Sequence, residues 1–170
     1  MELRAATPDD AETLALFGKE SFAAAFAHLY RPEDLAAFNA QGYSPDAVRN
    51  EIVGPECIHR IAELDGRMIG YCKMRYPSKL AEYSDTRDPM ELGQLYTDPA
   101  MTGQGIGAAL MEWALDVARR GGHDAVLLSV YSGNHGAQRF YQRYGFAKIA
   151  DITFQVGEQL DDEYLFELKL

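Results

Sequence analysis

Two cysteines, Cys57 and Cys72, are all that the 170 residues contain. Each sits inside an apolar, strand-like run, so both read as reduced core thiols of a cytoplasmic protein, with a disulfide pair as the less favoured alternative. Metal-ligand spacing is lacking too. His28, His59, His123 and His135 are scattered and follow no ligand pattern, so no metal is expected. No apolar run approaches the roughly 20 residues that cross a bilayer, which leaves membrane-spanning helices out. The first residues, MELRAATPDD, carry neither a basic nor an apolar segment, and a secretory signal is not expected. Positive charge is scarce: 16 Lys and Arg face 26 Asp and Glu, for a net charge of −10. That balance opposes nucleic-acid binding, which runs on Lys and Arg against phosphate. It favours a cationic partner through the long-range field, although solubility alone accounts for it. Repeats, low-complexity tracts and linkers are missing as well. What is present is an ordinary globular composition, 47% hydrophobic and 25% charged, long enough for a single domain over residues 1–170 with a real core.

Local signals give an element order. MELRAA reads as a short strand. Thr7 caps a helix with Pro8 at its first position and Asp9 and Asp10 in its first turn, running to about Tyr30. RPEDLAAF starts a second helix and Ser44-Pro45-Asp46 a third, ending before Gly54-Pro55. ECIHRIAEL and RMIGYCKMRY are strands joined by the hairpin signal Asp65-Gly66. Residues 77–89 read as a polar, mobile loop, and MELGQLYT as the next strand. ALMEWALDVARR has helical apolar spacing, with Arg119 and Arg120 in its last turn and Gly121-Gly122 beyond. DAVLLSVY fits a central buried strand. HGAQRFYQRY is a helix closed by Gly145, and FAKIADITFQV and DEYLFELKL are two final strands. The class is α/β with a central sheet.

The stretch TGQGIGAAL, Thr102 to Leu110, spends three glycines before a helix. A Walker-type phosphate loop needs Lys then Ser or Thr after the last glycine, and Ala108 and Ala109 stand there. A dinucleotide fingerprint needs its first glycine directly after the strand and an acid at the end of the next one, and neither holds. Two readings fit. One is a tight strand–helix turn. The other is a nest of backbone amides from Gly103 to Ala108 (Gly103, Gln104, Gly105, Ile106, Gly107, Ala108) facing a pyrophosphate, helped by the helix dipole.

Its neighbours narrow the choice. Residues 91–112, ELGQLYTDPAMTGQGIGAALME, closely resemble the acetyl-CoA-binding segment of the GNAT superfamily of N-acetyltransferases. That segment is a strand ending in an L-Y-V-like triplet, then Asp-Pro, then Q/R-x-x-G-x-G/A, then a helix. A second family block matches at Asn134, Ala137, Phe140, Tyr141 and Gly145-Phe146, and LRAATPDDAETL is similar to the family's first strand and helix. The resemblance implies a mixed, mostly antiparallel twisted sheet of about seven strands flanked by helices, with acetyl-CoA as cosubstrate at a splayed pair of central strands. Thr102 departs from the family's Gln or Arg, so phosphate contact is expected from main-chain amides, with Thr102 as helix N-cap.

The same resemblance assigns roles. The pantetheine arm runs along Leu95, Tyr96 and Thr97 like an added strand, and a backbone N–H of Leu95 or Tyr96 polarises the thioester carbonyl. Asn134 and Ala137 lie beside that arm. Tyr141 matches the family tyrosine near the sulfur. Phenol and thiol differ by only about 1.5 units in reference pKa, so a phenol suits protonation of the leaving thiolate. Arg139 and Arg143 read as solvated. Glu91, at the start of its strand, is the candidate base for the incoming amine, directly or through water.

The acceptor is read from the early helices. GKESFAAAFAHLYRPEDL resembles bacterial spermidine/spermine N-acetyltransferases. Glu20, Glu33, Asp34, Glu51, Glu82, Asp85 and Asp88 supply negative charge, and Tyr30, Tyr76 and Tyr83 supply cation–π faces. A polyamine or other small cationic amine is the expected acceptor. A protein N-terminus or lysine, an aminoglycoside or an amino-acid-like amine are the alternatives, and a catalytically weak acyl-CoA sensor is the alternative of another class. The expected partners are a small-molecule amine and, as one assembly, a homodimer, with no nucleic acid or membrane.

Overall fold

The computed structural model describes residues 1–170. Twelve regular elements follow the expected order. Strand β1 spans Glu2–Ala5, α1 Ala11–Phe26, α2 Pro32–Gly42, α3 Pro45–Val53, β2 Cys57–Leu64 and β3 Arg67–Arg75. Then come β4 at Pro89–Thr97, α4 at Ile106–Gly121, β5 at Ala125–Tyr131, α5 at His135–Arg143, β6 at Ala147–Val156 and β7 at Gln159–Lys169. The seven strands form one sheet in the order β1-β2-β3-β4-β5-β7-β6. Every pairing is antiparallel except β4 with β5. This is the mixed seven-stranded sheet expected above.

The two faces of the sheet carry separate cores. On one face α4 buries Ile106, Leu110, Met111, Ala114, Leu115 and Ala118, a helical stripe against Ile69, Cys72, Leu92, Val126 and Phe166. Each large apolar side chain so buried contributes about 1.5–3 kcal/mol. The opposite face takes α1, whose Ala11, Leu14 and Ala15 pack with Val48, Ile61 and Tyr71. A third, aromatic cluster of Phe22, Phe26, Tyr30, Phe38, Tyr43 and Phe154 joins the end of α1 and α2 to β6.

Two boundaries and one loop differ from the sequence reading. The first helix stops at Phe26, and Ala27–Leu29 tighten into a 3-10 turn. Thr7 begins a 3-10 turn, Pro8–Asp10, rather than α1 itself. There Asp10 Oδ2 accepts from the Thr7 N–H (2.8 Å) and hydroxyl (3.0 Å), while the Arg4 guanidinium holds the carboxylate at 2.7 and 2.8 Å. The charged fork keeps the Asp10 carboxyl well below the usual carboxylate range, at about 2. Third, residues 77–89 are fastened rather than free. The Lys79 N–H donates to Glu91 (2.8 Å), the Ser84 hydroxyl to Glu167, and the N–H groups of Arg87 and Asp88 to Asp124 (2.9 Å each).

Gly18 sits mid-helix in α1 for a packing reason. A Cβ there would lie 2.6 Å from the Tyr43 ring and 2.7 Å from the Tyr71 hydroxyl oxygen. Alanine is the better helix former by about 1 kcal/mol, but overpacking costs about 1–3 kcal/mol. Gly18→Ala is therefore expected to lower the urea midpoint with an unchanged slope. A midpoint at or above wild type would contradict this packing argument.

Candidate active site

The site begins with a defect in β4. Lys73 of β3 pairs with Gln94 and the next residue, Met74, pairs with Leu92, so Gly93 is an extra residue, a β-bulge. A bulge bends its strand and increases its twist. The parallel pairing of β4 with β5 covers only Pro89↔Ala125, Met90↔Val126 and Glu91↔Leu127. Beyond Glu91 the strands diverge, and the β5-facing edge of Leu92 to Thr97 has no strand partner. Unpaired main-chain groups on a strand edge accept an added extended chain.

A cavity of about 250 Å³ lies in this opening. Leu95 and Tyr96 of β4, Val130 and Tyr131 of β5, Asn134 at the start of α5, and Ala137 and Tyr141 of α5 line one part of it. Phe22, Phe26, Phe38, Tyr43 and Phe154 line the other. These rings pack edge-on or tilted, as in Phe38–Phe154 (5.7 Å, 75°) and Phe26–Tyr131 (6.0 Å, 80°). Glu163 of β7 is the sole charged residue on the wall.

Between the end of β4 and the start of α4 stands the glycine loop. Gly103 and Gly105 have φ of +82° and +81°, the left-handed region that a side chain resists. No protein atom lies within 4 Å of a Cβ built at either one. The backbone conformation, not crowding inside the protein, requires glycine there. Gly105 is the N-cap of α4, correcting the expectation for Thr102, which instead ends a 3-10 turn at Pro99–Met101 with its hydroxyl donating to the Pro99 carbonyl (2.8 Å). The Gln104 N–H is engaged by the Met101 carbonyl at 3.3 Å and the Ala109 N–H by Gly105 at 3.0 Å. The amides of Gly103, Gly105, Ile106, Gly107 and Ala108 have no backbone acceptor. They form a cluster of free amides at the N-terminus of a 16-residue helix, narrower than the expected span by Gln104. Ile106 is buried and anchors the loop in the core, while Gly107 lies beside Thr97 and Phe140.

Tyr141 faces the cavity while packing against Phe140 (5.4 Å) and Phe146 (5.9 Å). Burial, with the nearby Cys72, pushes its phenol above the usual value, because a phenolate would lose its hydration. The hydroxyl therefore stays protonated through the physiological range, the state a proton donor needs. Asn134 caps α5, its Oδ1 accepting from the Ala137 N–H at 3.1 Å, and also lines the cavity.

Glu91 is placed otherwise than expected. It is absent from the cavity wall, and its Oε2 accepts from the Ser78 hydroxyl (3.2 Å) and the Lys79 N–H (2.8 Å). Four of the seven acids proposed to draw a cation are likewise engaged. Asp34 binds Arg31 and the Glu158 N–H, Glu51 binds Lys73 and Arg75, Asp85 binds Lys169, and Asp88 binds Tyr76 and His123. Opposing charges hold the Glu51 carboxyl down at about 2 despite its burial. None of these acids lines the cavity.

Sequence reading missed Glu163 and the hydrogen-bonded group behind it. The Tyr71 hydroxyl donates to Gln94 Oε1 (2.9 Å), and Gln94 Nε2 donates to the Tyr43 hydroxyl (3.0 Å), which lies 3.4 Å from that of Tyr96. A signal for Glu163 was present. Asp161, Glu163 and Glu167 share one face of a strand that also buries Leu165, an unusual place for carboxylates.

Residues 23–146 match the model of the acetyltransferase (GNAT) family. The chain belongs to the GNAT family. An uncharacterized N-acetyltransferase of Mycobacterium tuberculosis is 32% identical over 161 residues, covering 95% of this chain and 98% of that protein. Spermidine N(1)-acetyltransferase of Thermoplasma acidophilum is 28% identical over 155 residues, covering 89% and 90%. The crystal structure of the PaiA N-acetyltransferase of T. acidophilum in complex with coenzyme A superposes with a TM-score of 0.81 at 24% identity, covering 99% and 98%. This GNAT chain is thus an acetyl-CoA-dependent N-acetyltransferase. The chain presents five free amides at the start of α4, an unpaired β4 edge beyond Glu91 and a cavity lined by that edge and by Tyr141. No cluster of His, Cys, Asp or Glu suited to a metal ion occurs, and no helix is long and apolar enough to cross a membrane.

Proposed function

We propose that this enzyme acetylates a small cationic primary amine of the polyamine kind. The observation that carries the reading is the cavity wall: aromatic rings throughout, one carboxylate, and no Lys, Arg or His. An alkylammonium gains from ring faces by about 0.5–2 kcal/mol each and from an opposing carboxylate. An amine bearing its own acid, such as an amino acid or an aminoalkyl phosphonate, would meet Glu163 with no cation to balance it. The cavity falls below the roughly 300–1,000 Å³ of typical ligand pockets, which favours a slender chain over a peptide segment. The similarity to a spermidine N(1)-acetyltransferase supports the same choice.

In this reading acetyl-CoA supplies the acetyl group as an activated thioester. The amides of Gly103, Gly105, Ile106, Gly107 and Ala108 bind its diphosphate, and the free edge of Leu95 to Thr97 aligns its arm. A main-chain N–H of Leu95 or Tyr96 stabilises the developing carbonyl charge. Asn134 and Ala137 bound the arm on the other side. Tyr141 holds a proton at Oη for the departing sulfur. The test is a panel of spermidine, putrescine, glycine, an aminoalkyl phosphonate and a short peptide with a free N-terminus, read by thiol release. The expected result is fastest release with the diamine and triamine. Preference for the peptide, or release that no amine accelerates, would overturn the proposal in favour of a protein acetyltransferase or a sensor respectively.

A further inference from the structure

We infer that the Glu163 carboxylate, rather than Glu91, takes the proton from the acceptor ammonium; the inference rests on the cationic-amine reading above. Glu163 stands on β7 in register with Tyr131 of β5 and Ile152 of β6. Strand alternation puts it on the same face as Asp161 and Glu167, opposite to Phe166, which packs into the α4-side core. The other two acids of that face are occupied. Asp161 accepts from the Tyr30 hydroxyl and from Gln159 Nε2 (2.7 Å), and Glu167 from the Ser84 hydroxyl. Glu163 differs from both: its Oε2 is out of solvent and has no hydrogen-bond partner. A buried acceptor left unpaired costs about 1–3 kcal/mol, more when charged. An N–H⁺ delivered to the cavity removes that cost. Glu91, by contrast, has its oxygen committed to Ser78 and Lys79.

The proton inventory closes. The Glu163 carboxylate accepts one proton from the ammonium and frees the nitrogen lone pair, which forms the C–N bond as the C–S bond breaks. Tyr141 gives its hydroxyl proton to the sulfur, and the second nitrogen proton restores Tyr141. Glu163 then loses its proton to water, so one proton is released per acetyl group transferred.

The groups that face Glu163 are Asp161 on its own strand, Tyr131 on β5, Tyr96 on β4, Tyr43 after α2 and Tyr30 after α1; no cation is among them. Burial first raises the carboxyl above its ordinary 4.5; a hydrogen bond from the Ser129 side chain opposes that rise, and the nearby Asp161 charge adds to it. The base is active when ionised, so the rate should rise with pH through an acid limb displaced above the ordinary value.

The experiment is the pH profile of spermidine acetylation by wild type, Glu163→Gln, Glu163→Asp and Glu91→Gln. For Glu163→Gln at pH 7 the expected fall in kcat is about a hundredfold or more. The acid limb disappears, and the rate climbs steadily towards the amine's own pKa near 10.4. Glu163→Asp restores part of the rate together with the limb, and Glu91→Gln keeps the limb. A limb that survives in Glu163→Gln, or a variant that raises KM alone, overturns the inference while leaving the amine reading intact. Should Glu163→Gln fail to bind acetyl-CoA, the Glu163→Asp profile decides: no acid limb there would overturn the inference equally. No spermidine turnover in wild type sinks both.

Discussion

Replacing Tyr141 by phenylalanine is expected to lower turnover at least about tenfold, towards the 10²–10⁴-fold typical of a lost general acid, with acetyl-CoA affinity nearly unchanged. The reasoning is subtractive. The ring keeps its packing against Phe140 and Phe146 and its place on the cavity wall, so the fold and the coenzyme's position persist. Only the hydroxyl is removed, and with it a proton held at the cavity by a phenol whose ionisation burial suppresses. Because that pKa is raised by burial, the phenol keeps its proton beyond the range where an ordinary tyrosine ionises. Thiol-release kinetics measure the turnover and calorimetry the affinity. Turnover equal to wild type would remove Tyr141 from the acid role.

Gly105→Val is expected to reduce acetyl-CoA affinity by at least about a hundredfold. Two effects act together. Valine at φ +81° costs roughly 1–3 kcal/mol of backbone strain, which the loop relieves by turning its amides away from their common focus. Each charge-assisted hydrogen bond then lost is worth about 1.5–3 kcal/mol, so two suffice for the stated fall. The Cβ of residue 105 faces open space in the protein itself. No packing clash adds to the strain, so melting temperature should fall by a few degrees per kcal/mol of strain and no further while binding collapses, and calorimetry beside a thermal scan separates the two. Unimpaired affinity in this variant would reject the amide cluster as the diphosphate site.

Both variants concern residues legible in the sequence. The loop and Tyr141 lie in short motifs whose chemistry is local: glycines that must adopt positive φ, a helix that must begin, an aromatic on its inner face. The same locality explains why the element order was readable from Thr7, the Asp65-Gly66 turn, Gly121-Gly122 and the apolar periodicities. The failures are non-local. Thr102 lost the cap position because Pro99–Met101 wind into a turn that the hydroxyl closes. The loop at 77–89 looked free because its tethers, Asp124 and Glu167, are distant in the chain. The scattered acids looked available because their partners, such as Lys73 and Arg75 for Glu51, arrive only when the sheet assembles.

By itself the sequence determined the family, the coenzyme and the elements that carry them, since runs of adjacent residues encode backbone conformation directly. Only the tertiary structure decided which carboxylate meets the acceptor. Glu163 lies on a strand laid in against β5, whose alternation sets its face, and the cavity it lines lies where β4 bulges at Gly93 and parts from β5 beyond Glu91. Burial and pairing between strands far apart in the chain, not spacing along it, select that residue from the many acids of the chain.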